Sequence, residues 1–229
     1  MPAIIFMQMQ AQISARVVVV FAGGDPPSVE VVSWIPAGAF TIAADSGLDH
    51  AHRLGFEADL LVGDLDSVSL NAAERHDGDV QKYSEDKDYT DLELAMEAAM
   101  PRAEQVVVVG GHGGRLDHLL ANAELLGDHR WLTAGIVWLA GEDLATVVRH
   151  QATIHGKPGD LVSLIPLGGH AIGVTAEGLQ WSLENATLAA GSTRGVSNRF
   201  TEADAHISVR QGALLAVQPG AVLTGRPLI

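Results

Sequence analysis

The chain has 229 residues, of which 47% are hydrophobic and 18% are charged, and it contains no cysteine. This composition excludes wholesale disorder, and the lack of cysteine excludes disulfides, thiol nucleophiles and thiolate-bound zinc. Lysine and arginine number 14 against 28 acidic residues, which gives a formal net charge of −14. Such a charge repels nucleic acid and anionic lipid, so we expect neither as a partner.

The start of the chain carries no recognisable targeting signal. Residues 1–7 are apolar, but they lack a basic flank and run into a polar, glutamine-containing stretch, unlike a signal peptide. No uncharged apolar run is long enough to span a bilayer. We therefore expect a cytoplasmic protein without a membrane segment.

Apolar runs alternate with helical patterns through the first 150 residues. Strands are predicted at 17–22, 41–44, 60–62, 106–109 and 136–140, and helices at 47–54, 90–100 and 116–126. Continuous runs of valine, isoleucine and leucine are typical of strands buried on both faces, as in a parallel sheet covered by helices. The repeated strand–helix order predicts an α/β fold with a mostly parallel sheet.

The pattern changes from about residue 151 onward, where short apolar segments are separated by turn residues. Segments 206–210 and 213–217 flank Gln211-Gly212, which predicts a hairpin with Gly212 at a positive φ. Residues 151–229 contain five basic and five acidic residues, so the whole acidic excess belongs to the first part. We predict two domains, an α/β domain over 1–150 and an antiparallel β domain over 151–229.

The first chemical motif is the pair Asp64 and Asp66, directly after a predicted strand. If the strand continues, both carboxylates point the same way while Leu65 faces the core. Two close carboxylates repel each other unless a divalent cation relieves the repulsion, and oxygen ligands favour Mg²⁺, Mn²⁺ or Ca²⁺. An Asx-type turn that caps the next helix explains the same pair without a metal.

The second motif is the acidic run from residue 85 to residue 93. Thr90 and Glu93 predict a capping box, and the apolar stripe of the helix that follows is Leu92, Ala95, Met96 and Ala99. The helix dipole accounts for Asp91 in the first turn. Four acids around Lys87 within seven residues exceed what capping needs, so we expect some of them to face a ligand and Lys87 to contact a phosphate.

The third motif contains four glycines between residues 110 and 114, placed between a strand and a helix. Such a loop presents backbone N–H groups to an anion, and Arg115 can pair with a phosphate bidentately. Asp117 is also explained as an ion-pair partner of Arg115, and His118 as a packed or surface histidine. We expect a core position for four apolar residues of the helix: Leu116, Leu119, Leu120 and Ala123. No P-loop, dinucleotide-binding or serine-hydrolase motif occurs.

In their order along the chain, six segments resemble the thiamine pyrophosphokinase family. They are AADSG (43–47), GDLDS (63–67), DKDYTDLELA (86–95), GGRLDHLLAN (113–122), GLQWSL (178–183) and GVSN (195–198). The resemblance extends from about residue 17 to residue 217. It implies a Rossmann-like nucleotide-binding domain followed by a C-terminal antiparallel β-sandwich that binds thiamine and forms a homodimer.

The resemblance also implies an activity and a set of site residues. Members of the family transfer the pyrophosphate of ATP to the thiamine hydroxyl in a Mg²⁺-dependent reaction, giving thiamine diphosphate and AMP. By motif position, the implied Mg²⁺ ligands are Asp64, Asp66 and Asp91, which are catalytic together with Arg115. The implied ATP and phosphate contacts are Asp45, Lys87, Asp88, Arg115, Asp117 and His118. The implied thiamine contacts are Trp181, Ser197 and Asn198, at a homodimer interface.

Two other functions remain open at this point. A metal-dependent phosphohydrolase that acts on a nucleotide would use the same acidic cluster with water as the nucleophile, and a non-catalytic nucleotide or thiamine sensor would only bind. Trp181 is equally well explained as a buried aromatic residue of a β core. Residues 1–16 have no counterpart in the resemblance, and we expect a mobile leader there.

Overall fold

The computed structural model describes residues 16–224. The absence of a signal peptide at residues 1–7 and the mobile leader predicted for 1–16 therefore fall outside the described residues, except at Arg16. No helix within residues 16–224 has the length and apolarity that crossing a bilayer requires.

Six parallel strands form the first part of the sheet: β1 (Val17–Ala22), β2 (Phe40–Ala44), β3 (Leu60–Gly63), β4 (Asp79–Lys82), β5 (Gln105–Gly110) and β6 (Gly135–Ala140). Their order across the sheet is β4-β3-β2-β1-β5-β6. The central strands are buried throughout because their side chains are apolar on both faces. All five predicted strands are confirmed. Strand β4 was not predicted, because its four residues are exposed and mostly polar.

Four α-helices connect these strands: α1 (Gly47–Arg53), α2 (Leu70–Arg75), α3 (Asp91–Ala99) and α4 (Leu116–Leu126). A short 3₁₀ helix covers Val29–Trp34. The predicted stripe of α3 is buried as expected: Leu92, Ala95, Met96 and Ala99 are at most 6% exposed. Helix α2 is only six residues long and buries a single residue, Ala72, so its sequence carries almost no periodic signal.

Antiparallel strands make up the second part: β7 (Asp143–Val148), β8 (Gln151–His155), β9 (Leu161–Glu177), β10 (Leu183–Leu188), β11 (Asn198–Arg199), β12 (Asp204–Ser208) and β13 (Gln211–Gln218). Strand β7 pairs with β6 on one side and with β13 on the other. The long strand β9 pairs with β13, β12, β10 and β11. The fold is thus an α/β sheet of mostly parallel strands followed by antiparallel strands, as predicted. The division at residue 150 stays a prediction.

The hairpin predicted around Gly212 is wrong. Gly212 does have a positive φ of 91°, but β12 and β13 do not pair with each other, because β9 lies between them in the sheet. Gly212 instead lies within β13 and close to β9, since a Cβ at this position would be 2.4 Å from the carbonyl oxygen of His170.

The prediction that the apolar residues of α4 are core is wrong for two of them. Leu116 is 67% exposed and Leu120 is 59% exposed, whereas Leu119 and Ala123 are partly buried against the core. Helix α4 covers the sheet only with one side, through Asn122 and Leu126. Because Leu116 and Leu120 lie one helical turn apart, they form an exposed apolar face.

Candidate active site

A cleft of about 810 Å³ opens at the carboxyl ends of the parallel strands. Strands β2, β3 and β4 lie in turn on one side of β1, and the chain then crosses back to place β5 on the other side of β1. Strand order therefore reverses between β1 and β5, which is where open α/β sheets bind ligands. Residues that follow β1, β2, β3 and β5 line the cleft: Gly23, Gly24, Asp45, Ser46, Asp64, Asp66, Gly111 and Gly113.

Asp45 enters the cleft at the end of β2. Its φ is +46°, a left-handed conformation that Asp adopts more readily than most residues. The backbone N–H of Asp45 donates to the carbonyl of Val62 at 2.9 Å, and its own carbonyl accepts from Leu48 in α1 at 3.0 Å. These bonds hold the backbone of Asp45 between β3 and α1, and the residue is 8% exposed. Burial raises the pKa of Asp45, and the charges of Asp91 and Asp66 raise it further.

Asp64 and Asp66 lie on a turn, not on an extended strand. Strand β3 ends at Gly63, and Leu65 has a φ of +70°, so the expected alternation of side chains does not apply. The turn is closed by a hydrogen bond in which the N–H of Asp66 donates to Asp64 Oδ1 at 3.2 Å, as in an Asx turn. Both carboxylates nevertheless face the cleft.

Three carboxylates converge in the cleft. Asp45, Asp64 and Asp66 each place one oxygen within 4.8 Å of the others. Asp45 Oδ1 is buried and has no hydrogen-bond partner, although a buried carboxylate oxygen normally has one. An unpartnered oxygen beside two further carboxylates is a donor set that suits a hard divalent cation. These three residues therefore fit Mg²⁺. Asp45 is one of them, although the sequence analysis placed it among the ATP contacts.

Asp91 lies next to this triad but is paired with Lys87. The Lys87 ammonium group donates to Asp64 Oδ2 and lies 2.9 Å from Asp91 Oδ1. The hydrogen bond from Lys87 lowers the pKa of Asp64. Burial opposes the charge on Lys87, but hydrogen bonds to Asp64 and Asp91 outweigh it and raise the pKa of Lys87. At neutral pH the Asp64 carboxylate and the Lys87 ammonium group are therefore both ionised.

The start of α3 brings Asp91 to the site. Thr90 caps the helix, because its Oγ1 accepts from the N–H of Glu93 at 3.3 Å. Only this half of the predicted capping box forms, since the Glu93 side chain instead pairs with Arg130 at 2.6 Å. A Cβ at Gly63 would lie 2.9 Å from Asp91 Oδ1, so glycine at this position allows α3 to approach the end of β3.

The glycine loop 110–114 forms one wall of the cleft. Four of its residues have φ between 58° and 87°, which favours glycine. Trp138 Nε1 donates to the carbonyl of Gly110 at 2.6 Å, and Asn122 Nδ2 donates to the carbonyl of Gly111 at 2.9 Å. Because side-chain donors hold these carbonyls, the loop has a fixed backbone, as an anion-binding loop requires.

Other residues predicted for the ATP site lie at the rim or outside the cleft. Arg115 and His118 line it, whereas Asp88 and Asp117 are exposed and do not. Arg115 Nη2 lies 2.6 Å from Asp117 Oδ2, which is the simple ion pair that the sequence allowed. Asp117 therefore orients Arg115 from the solvent side.

The predicted thiamine residues lie away from this cleft. Trp181 is 56% exposed, so the interpretation of Trp181 as a buried core residue is wrong. The Trp181 backbone is fixed by Asn198, whose Oδ1 accepts from the Trp181 N–H at 3.0 Å and whose Nδ2 donates to the Trp181 carbonyl at 2.8 Å. Ser197 precedes Asn198 with a φ of +60°. None of the three lines the cleft, and their role stays a prediction.

Several residues that line the cleft were not given a role from the sequence: Ser46, Ser67, Tyr89 and Asn122. Glu85 also lines it, as one of the acids around Lys87 from which a ligand contact was expected. Ser67 Oγ donates to Asp66 Oδ1 at 2.8 Å, and Tyr89 is 51% exposed at the rim. Asn122 carried a usable signal, because a polar residue on the buried side of an amphipathic helix needs a partner.

Comparison with known sequence families gives two matches. Residues 33–134 match the family described as "Thiamin pyrophosphokinase, catalytic domain", and residues 149–214 match "Thiamin pyrophosphokinase, vitamin B1 binding domain". Thiamine pyrophosphokinase 1 of Oryza sativa subsp. japonica is 28% identical over 171 residues, which cover 68% of this chain and 64% of that protein. The Bacillus subtilis (strain 168) thiamine pyrophosphokinase is 25% identical over 170 residues, 68% of this chain and 76% of that protein.

Solved structures with the same fold include two described as thiamine pyrophosphokinases. The structure from Bacillus subtilis superimposes with a TM-score of 0.77 at 22% identity, covering 89% of this chain and 98% of that one. The family protein from Enterococcus faecalis superimposes with a TM-score of 0.72 at 26% identity, covering 90% and 99%. The similarity in fold therefore includes both the parallel and the antiparallel part.

Proposed function

The chain belongs to the thiamin pyrophosphokinase family, and we propose that it transfers the pyrophosphate of ATP to the hydroxyl of thiamine, giving thiamine diphosphate and AMP. One observation carries the proposal: three carboxylates converge beside a lysine and a glycine loop, in a cleft at the switch point of the sheet. A metal-dependent phosphohydrolase or a sensor is not supported by the families that match.

In the proposed mechanism, the glycine loop 110–114 and Arg115 hold the polyphosphate of ATP. Asp45, Asp64 and Asp66 would hold Mg²⁺, with Asp91 alongside. When bound, Mg²⁺ supplies charge neutralisation of the phosphates, because an acidic cleft would otherwise repel ATP. The Lys87 ammonium group and the Arg115 guanidinium group stabilise the negative charge that grows as the bond between the α- and β-phosphates breaks.

The direct test is a product analysis. The protein is incubated with Mg²⁺, ATP and thiamine, and nucleotides and thiamine species are separated. We expect AMP and thiamine diphosphate in equal amounts, formed only when thiamine is present. ADP and phosphate formed without thiamine would instead indicate the phosphohydrolase, and saturable binding without any turnover would indicate the sensor.

We also propose that the chain acts as a cytoplasmic homodimer whose 151–229 domain supplies the thiamine site to the partner subunit. Exposed apolar residues support an interface: Leu116 and Leu120 on α4, and Ile165, Trp181 and Val196 in the antiparallel part. Helix α4 lies beside β9, since the N–H of Gly168 donates to Glu124 Oε2 at 2.9 Å. Trp181 does not line the cleft of its own chain, which a partner-supplied site explains.

Leu120→Glu should convert the dimer into a monomer, because a charge in the middle of an apolar interface is left unpaired. Sedimentation velocity measures the mass, and thiamine diphosphate synthesis should fall with it. Leu70→Glu is the control, since Leu70 is 83% exposed on α2, away from this surface. A dimer in the Leu120→Glu variant would contradict the assignment of this face.

Trp181→Ala should raise the KM for thiamine about tenfold and change the KM for ATP less than twofold. The reason is that an exposed aromatic ring with a fixed backbone can stack on a cationic heterocycle. Steady-state kinetics with each substrate varied in turn measure both constants. Val80→Ala, an exposed apolar residue on β4, is the control. Equal increases in both constants would point to a loss of folding and against a thiamine contact.

A further inference from the structure

Lys87 is placed inside the acidic cluster as its counter-ion. Its side chain is 13% exposed and contacts both Asp64 and Asp91. Within residues 16–224 no other basic side chain forms an ion pair with these two aspartates. Arg115 also lines the cleft, but it is paired with Asp117. The cluster therefore carries one internal positive charge against several negative ones.

The oxygens of Asp64 are already engaged. Asp64 Oδ1 accepts from the N–H of Asp66 at 3.2 Å, and Asp64 Oδ2 accepts from Lys87. On the other side of the triad, Asp45 Oδ1 is buried and unpartnered. A divalent cation that binds between Asp45 and Asp64 competes with the Lys87 ammonium group for Asp64. The cation and the ammonium group also repel each other, because both positive charges would then contact the same carboxylate.

We infer that Lys87 is an exchangeable counter-ion: it balances Asp64 and Asp91 while no divalent cation is bound, and cation binding displaces it. The flexible four-carbon stem of lysine permits this movement without a change in the backbone. The displaced ammonium group is then available to the polyphosphate, so that cation and nucleotide binding are linked. Only this last step rests on the proposed function.

The first test is the affinity for Mn²⁺ without nucleotide, measured by the paramagnetic resonance of free Mn²⁺. Lys87→Met should bind Mn²⁺ at least about fivefold more tightly than the wild type, because the competing charge is gone. Lys157→Met makes the same change in net charge, and Lys157 has no side-chain ion pair within the described residues. This control should bind as the wild type does. Unchanged or weaker binding in Lys87→Met would overturn the inference.

The second test follows the lysine itself. The chain has three lysines, at positions 82, 87 and 157. Their acetylation by an amine-reactive acetylating reagent can therefore be followed at each position by peptide mass spectrometry. Saturating Mg²⁺ alone should raise the acetylation rate of Lys87 several-fold and leave Lys157 unchanged. A Lys87 rate that does not rise with Mg²⁺ would overturn the displacement.

These results separate the inference from the proposed function. If no thiamine diphosphate forms but Mn²⁺ binds more tightly to Lys87→Met and Mg²⁺ exposes Lys87, the proposed function fails and the counter-ion role stands. If thiamine diphosphate forms but neither measurement changes, the function stands and the counter-ion role is wrong.

Discussion

Asp64→Asn should reduce the turnover of thiamine and ATP by about a hundred- to a thousandfold. Asp64 is the residue shared by the carboxylate triad and by the Lys87 ion pair, so its charge serves both the cation and the lysine. The unfolding midpoint should change by no more than about 5 °C. Asparagine can still accept the hydrogen bond from Asp66, and losing the ion pair with Lys87 is partly offset by weaker repulsion from Asp45.

The matched control is Asp77→Asn. Asp77 is exposed and makes no hydrogen bond or ion pair within residues 16–224. The variant therefore removes one negative charge without breaking a contact of the side chain. Initial rates of thiamine diphosphate formation and thermal unfolding are measured for both variants. Turnover of the Asp64→Asn variant that equals that of the control would reject Asp64 as part of the site.

Gly47→Ala should destabilise the fold by about 3 kcal/mol, a large effect for a single methyl group. Gly47 begins α1, and a Cβ there would lie 2.1 Å from the carbonyl oxygen of Phe21 in β1. Strand β1 is paired on both sides, with β2 and β5, so it cannot move away. The helix would have to shift instead, carrying Asp45, which is bonded to Leu48, out of the site.

Urea unfolding measures the change in stability, and Mn²⁺ binding measures the displacement of Asp45. Gly135→Ala is the control, because the nearest atom to a Cβ at Gly135 is 3.9 Å away and its φ is not in the left-handed region. Equal stability of Gly47→Ala and Gly135→Ala would show that the close approach of α1 to β1 is not a constraint.

The buried strands and the main helices followed from the sequence because their signal is local. Helix α4 has the bounds that were predicted, and the runs of valine in β1 and β5 indicate buried strands. Strand β4 lacked that signal, because an exposed edge strand needs no apolar residues. The hairpin prediction failed because Gly212 indicates a turn but says nothing about which strand pairs with the strands it joins.

The site residues were predicted from motifs, but the contacts between their side chains were not. The sequence placed Asp64, Lys87 and Asp91 in two separate segments, and only the packing of α3 against β3 brings them into contact. Asp45 joins the triad because the sheet places the ends of β2 and β3 side by side. Leu120 looked like a core residue because helical spacing alone cannot tell an apolar side that packs on the sheet from an apolar side that is exposed.

The position of β13 has a consequence for synthesis of the chain on the ribosome. This strand, the last in the described chain, lies between β7 and β9. Until residues 211–218 have emerged, β7 exposes an open edge and the nascent protein cannot complete its sheet, however early the first six strands assemble. Strand β13 must therefore insert between two strands that precede it in the chain, and a nascent chain stalled before residues 211–218 would be vulnerable to edge-to-edge aggregation.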